Sequence, residues 1–188
     1  FTQVDVSHVW LAKVQNNWEL KNVSYAYVAQ IPVVLFIYAV LGPIFSLLTM
    51  ILYLLIGFFV WPVFALGGGL EYIRSELFGY ILGYIIAAIP TGKLLEKKYS
   101  LKHMFLATIL GVFIIHICGL LYCLLLAILK IINFSHVAFA LQAIGGIKTL
   151  YDIIFGFIFL ILALPAKMIL WIPMKSSYTV KRKQNKQE

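Results

Sequence analysis

Between Asn22 and Leu70 the chain runs for 49 residues without an Asp, Glu, Lys, Arg or His. A helix crosses a hydrocarbon core with ~20 residues, so this run is expected to cross, fold back and cross again. Its one break is Gly42-Pro43, where a proline can occupy the first position of a new helix. The pattern predicts spans at 25–41 and 44–64. Three further apolar runs predict spans at 77–92, 104–129 and 153–174, the last interrupted by Lys167 near enough to its end to snorkel. Segment 131–147 is apolar as well, but it carries Asn133, His136, Gln142 and Gly145-Gly146. Residues 1–24, ahead of the first span, are expected as a loop.

Composition turns these runs into a class. The chain is 63% hydrophobic and 12% charged, whereas a soluble domain carries about 25% charged residues. That is too little charge to cover a water-facing surface, and it excludes an ordinary cytosolic enzyme, a disordered chain or a small disulfide scaffold. The expectation is an all-α, polytopic membrane helix bundle of five spans. It forms a single domain over 1–174, followed by a disordered basic tail, 175–188.

The net charge of +8 would suit nucleic-acid binding only if it were spread along a groove. Instead the cations gather beside apolar runs, at Lys93, Lys97, Lys98 and Lys102 and at Lys175, Lys181, Arg182, Lys183 and Lys186. Basic clusters of that kind mark cytoplasmic flanks, and no nucleic-acid partner is expected. If 131–147 does not span, both clusters share one face, with Glu96 and Glu188 as its acids. The opposite face then holds five cations and five acids: Lys13, Lys21, Arg74, Lys130 and Lys148 against Asp5, Glu19, Glu71, Glu76 and Asp152. The positive-inside rule favours this arrangement, so 131–147 is read as a short helix or re-entrant segment on the outer side. Five spans with the C-terminus inside put Phe1 outside, and a further helix upstream of Phe1 is expected.

Polar groups are costly in hydrocarbon and tend to be functional. Here they fall in three outer segments, 1–24, 67–76 and 130–152. The middle one begins Gly67-Gly68-Gly69 and continues through Glu71, Tyr72, Arg74 and Glu76, which allows either a solvated turn with helix-capping acids or a ligand site. His116, alone in an apolar span, reads as a helix–helix hydrogen-bonder, with a proton relay or a ligand contact as alternatives; His136 reads as solvent-exposed. Cys118 and Cys123, five apart, face different sides of a helix and read as packing residues. Gly79, Gly83 and Ala87 form a small-residue stripe, for packing inside the protein or against another membrane subunit. There is no metal-ligating His pair, no catalytic Ser, His and Asp set, no embedded acid pair and no phosphate-binding Gly-Lys loop. No enzyme, metal or cofactor is expected.

These residues, in their order and spacing, resemble the BioY-type biotin transporters, and most closely a branch associated with cyanobacteria. The resemblance spans 16–174. Asn17-Trp18 is followed by Tyr27-Val28-Ala29-Gln30. Tyr53-Leu54-Leu55-Ile56-Gly57 is followed by Pro62-Val63-Phe64. Residues 67–72 read Gly-Gly-Gly-Leu-Glu-Tyr, then come Phe78-Gly79-Tyr80 to Gly83, and Ile115-His116 to Tyr122. Two places depart from the wider family. Its Gly-Pro-Thr-Gly-Gly-Tyr stands here as Ser75-Glu76-Leu77-Phe78-Gly79-Tyr80. Its Pro-Gly-Asp-x-x-Lys stands as Leu150-Tyr151-Asp152-Ile153-Ile154-Phe155, keeping the acid and losing the lysine.

The resemblance implies a six-helix fold whose first helix would precede Phe1. It implies the substrate-binding (S) component of an energy-coupling factor transporter in a bacterial cytoplasmic membrane, with biotin as ligand. A transmembrane (T) component and ATP-binding subunits would be its partners. Asp152 or Glu71 would accept the ureido N–H groups of biotin, and Gln30 would serve the carbonyl. Arg74 or Lys148 would pair with the carboxylate, Arg74 through a bidentate fork. Gly68 would permit close approach, and Trp61, Phe64, Tyr72 or Tyr80 would pack on the bicyclic ring. An S component for another carboxylate vitamin such as lipoate, and a structural membrane subunit without a ligand, are the alternatives.

The charge sorting carries a test. Cysteines introduced at Lys97 and Lys183, in a background without Cys118 and Cys123, should resist an impermeant reagent in intact cells and react after permeabilisation. Labelling of either in intact cells would overturn the orientation.

Overall fold

The computed structural model describes residues 3–14, 17–64, 67–138 and 147–184. Where one domain was expected, the chain divides into two compact units, Phe1–Gln30 and Ile31–Glu188.

The first unit corrects the expected loop. Strands β1 (Gln3–Val14) and β2 (Asn17–Val28) pair antiparallel in a register running from Gln3 opposite Val28 to Val14 opposite Asn17. Period-two alternation is visible in Val4-Asp5-Val6-Ser7 and in Trp18-Glu19-Leu20-Lys21, the pattern of a strand with one apolar side. Residues 25–28 therefore belong to β2, and the first helix starts later than the apolar run suggested.

The second unit is a helix bundle. Helix α1 covers Gln30–Phe59, α2 Phe78–Lys97, α3 Leu101–Ile128 and α4 Ile147–Gln184, with a short 3-10 turn, η1, at Leu70–Arg74. Among the described residues four helices are long and apolar enough to cross a membrane, and the five expected spans map onto them because α1 holds two. Its backbone leaves the helical region at Gly42, with φ 75° and ψ 178°, a conformation that glycine adopts without a Cβ penalty. Contacts with α2 show the reversal. The Tyr38 hydroxyl donates to the carbonyl of Tyr84, Pro43 lies against Gly92, and Phe58 packs on Phe78 at the opposite end of α2, with ring centroids 5.5 Å apart. The Ser46 hydroxyl donates to the carbonyl of Ile37 across the break at 3.2 Å.

Residues 134–138 are helical, and the remainder of the expected outer segment, 139–146, lies outside the described residues. The basic tail, expected as disordered, continues α4 as helix to Gln184.

Helices α2 and α3 approach each other closely, and the small-residue stripe explains why. A Cβ built on Gly79 would stand 2.4 Å from Tyr122 Cβ, and one on Gly83 would stand 2.9 Å from Ile115 Cα. Ala87 is fully buried. The stripe is a packing seam within the protein. Outward-facing Phe105, Phe113, Leu121 and Ile86 are exposed, as lipid-facing positions would be.

Gly83→Leu should therefore force α2 and α3 apart, at a cost of about 1–3 kcal/mol. Its apparent melting temperature in detergent should fall clearly below that of the exposed control Ile86→Leu. Equal melting temperatures would show that the seam tolerates a larger side chain.

Candidate functional site

The first two turns of α4 carry Lys148, Thr149 and Asp152. A spacing of four puts Lys148 and Asp152 on one face. Asp152 has no exposed surface, so its carboxylate requires compensation from the protein. His116 Nε2 of α3 at 3.3 Å and Lys148 Nζ at 3.5 Å both converge on its Oδ2. Since the carboxylate accepts, Nε2 is the ring nitrogen assigned the hydrogen. Thr149 Oγ1 lies 3.5 Å from that nitrogen. His116 Nδ1 is buried and has no hydrogen-bond partner among the described residues.

Helix α2 closes the group. The Tyr80 ring meets the His116 ring edge-on, with centroids 5.6 Å apart, and Lys148 Nζ stands 5.5 Å above the same tyrosine ring. That is cation–π distance. Tyr80 also lies close to Gly119, where a Cβ would come within 2.7 Å of its ring. Tyr84, one turn further along α2, is buried, and its carbonyl accepts from Tyr38.

The glycine-rich segment is built separately at the end of α1. Phe64 and Gly67 exchange backbone hydrogen bonds at 3.0 and 3.2 Å, and Gly69 N–H donates to the carbonyl of Gly57 at 2.8 Å. At Gly68 a Cβ would stand 2.5 Å from Pro62 Cα. Gly68 thus permits close approach to the chain's own backbone. Tyr72 is buried with its ring centroid 4.7 Å from that of Phe64. Burial, reinforced by neighbouring Tyr53, pushes its hydroxyl up to about 12, so it stays a neutral hydrogen-bond group. Glu71 and Arg74 are exposed on η1. Glu76 accepts from exposed His136 at 2.8 Å, tying the 134–138 turn to the approach to α2.

Of the residues singled out from the sequence, Tyr80, Lys148 and Asp152 come together in one group around the buried carboxylate, and Tyr72 packs on Phe64. Gln30 is half-buried at the start of α1. Phe64 is fully buried among Phe58, Tyr53 and Tyr72, whereas Trp61 is exposed. His116 makes the interhelical hydrogen bond expected of it. That its partner is Asp152 could not be read from the chain, where the two are 36 residues apart. Thr149 escaped notice; its signal was a hydroxyl one helical turn before the acid.

Comparison with known proteins agrees with this architecture. In the solved structure of the S-component for biotin from an ECF-type ABC transporter, 76% of that chain superimposes on 77% of this one with a TM-score of 0.61 at 14% sequence identity. That is a likeness of fold. The probable biotin transporter BioY of Lysinibacillus sphaericus is 35% identical over 74 residues. An uncharacterised 21.2 kDa protein from the psbX-ycf33 intergenic region of Cyanophora paradoxa is 35% identical over 86 residues. These matches take in 38% and 46% of the relatives' own lengths, so the chain spans less than half of each curated relative it matches. The BioY family model matches residues 10–170. With that match over most of its length, on a fold of apolar membrane-length helices, this multi-pass membrane protein belongs to the BioY family.

Proposed function

We propose that this chain binds biotin tightly and serves its uptake across a bacterial cytoplasmic membrane, as the substrate-binding component of an energy-coupling factor transporter. The observation that carries the reading is the fully buried Asp152, held by an imidazole and an ammonium at the start of α4. A membrane helix bundle keeps such a group where it meets a ligand. Biotin suits it chemically. The ureido N–H groups are donors for Asp152, the carboxylate calls for a cation, and the rest of the molecule is apolar enough to lie between aromatic side chains such as Tyr80.

Lys148 is the carboxylate's partner in this reading, in preference to Arg74. It already touches the buried group, and a third of its side chain is exposed, so the ammonium has room to turn outward. The family's lysine one turn after the acid stands here as Phe155; Lys148 supplies the same charge from one turn before it. ATP hydrolysis falls to partner subunits, an ATP-binding pair and a transmembrane component. No cofactor enters the cycle.

Titration calorimetry in detergent with biotin, biotin amide and lipoate tests the assignment. Loss of a charge-assisted hydrogen bond costs about 1.5–3 kcal/mol, or roughly ten- to a hundredfold in affinity. Asp152→Asn should lose that much for both biotin and its amide. Lys148→Met should weaken biotin strongly and the amide little, because only biotin carries the carboxylate. Parent-like binding by Asp152→Asn would refute the role of the acid, and equal weakening of both ligands by Lys148→Met would refute that of the lysine. Tighter binding of lipoate than of biotin would replace the ligand.

A further inference from the structure

The two groups that hold Asp152 differ in kind. Lys148 is a mobile cation: 31% of its side chain is exposed, its contact with Oδ2 is 3.5 Å, and it is shared with the Tyr80 ring. A charge-assisted hydrogen bond of full strength is shorter, about 2.7–2.9 Å. His116 is fixed. Its side chain is 2% exposed, its ring edge lies on Tyr80, and Nε2 faces both Asp152 and Thr149.

Nε2 is the ring nitrogen that faces the carboxylate, so the hydrogen it carries is the one Asp152 accepts.

We infer that His116 is the positioning residue of Asp152, the donor that holds the carboxylate in place while Lys148 leaves it for the carboxylate of the ligand. The inference rests on the biotin reading above. Lys148 sits one helical turn nearer the start of α4 than Asp152, so an ammonium that swings toward that end reaches a different part of a bound molecule. Its departure takes a cation away from Oδ2. A buried carboxylate that loses one partner is strongly destabilised unless another keeps hold of it. His116 does so on the protein's side, and a ureido N–H arrives on the ligand's side. The two carriers of positive hydrogen thus divide the work: the imidazole orients Asp152, and the ammonium serves the far end of the ligand.

The hydrogen bond is tested without any ligand. In ¹⁵N-histidine-labelled protein in detergent, with His116→Gln identifying the signal, the two-bond couplings of His116 should report hydrogen on Nε2. Asp152→Asn should shift the Nε2 resonance. A bare Nε2, or no response to Asp152→Asn, overturns the inference. Binding then tests the role. Glutamine places an amide nitrogen near the position of Nε2, whereas asparagine places its polar atoms near Nδ1. His116→Gln should bind biotin within about threefold of the parent, while His116→Asn and His116→Leu should weaken biotin and biotin amide alike by roughly ten- to a hundredfold. Parent-like binding by His116→Leu, or rescue by asparagine in place of glutamine, refutes it. Should the parent bind no biotin, the transport reading falls, and the ligand-free spectrum still decides whether His116 donates to Asp152.

Discussion

A carboxylate with no exposed surface, set among helices built almost wholly of apolar residues, is the constraint around which the bundle is organised. Asp152 is buried completely and draws partners from more than its own helix. Lys148 reaches it along α4, but the donor that is itself buried comes from α3, and the ring that receives both His116 and Lys148 comes from α2. Three helices must therefore hold a fixed rotation and depth relative to one another. The close seam between α2 and α3 contributes to this directly. Gly79 and Gly83 bring the helices near enough for Tyr80 to lie against Gly119 and the His116 ring.

The polar chemistry is concentrated where α2 and α4 begin, against the middle of α3. Beside it, η1 and the glycine-rich segment fold on the end of α1 through backbone hydrogen bonds and an aromatic cluster of Phe58, Phe64 and Tyr72. The charged side chains of η1, Glu71 and Arg74, are exposed, whereas Lys148 and Asp152 of α4 meet the His116 and Tyr80 side chains. Sequence order alone made the two sets look equivalent.

The Gly42-Pro43 reversal was legible because chain length against membrane thickness leaves little choice: an uncharged run of more than forty residues cannot be one span. The α2–α3 seam was legible as a four-residue spacing of small side chains. Asp152 and Lys148 could be placed on one face by counting. What could not be counted was distance across the bundle, so His116 was recognised as a hydrogen-bonder without its partner, and Arg74 and Lys148 stood level until burial separated them. The β1–β2 hairpin was missed for a different reason. Its alternation is short and mixes Asp5, Ser7, Glu19 and Lys21 with the apolar residues, and beside runs of membrane length such a segment reads as a connection.

Pro90 brings no backbone N–H to the α2 ladder, and Pro43, at the reversal of α1, touches Gly92 two positions beyond it. The break in one helix and the missing hydrogen bond in its neighbour thus fall in a single layer. Along α2 that layer lies twelve residues from Tyr80, or about 18 Å at the helical rise. The backbone hydrogen bonds given up there are therefore remote from the side-chain hydrogen bonds that hold Asp152.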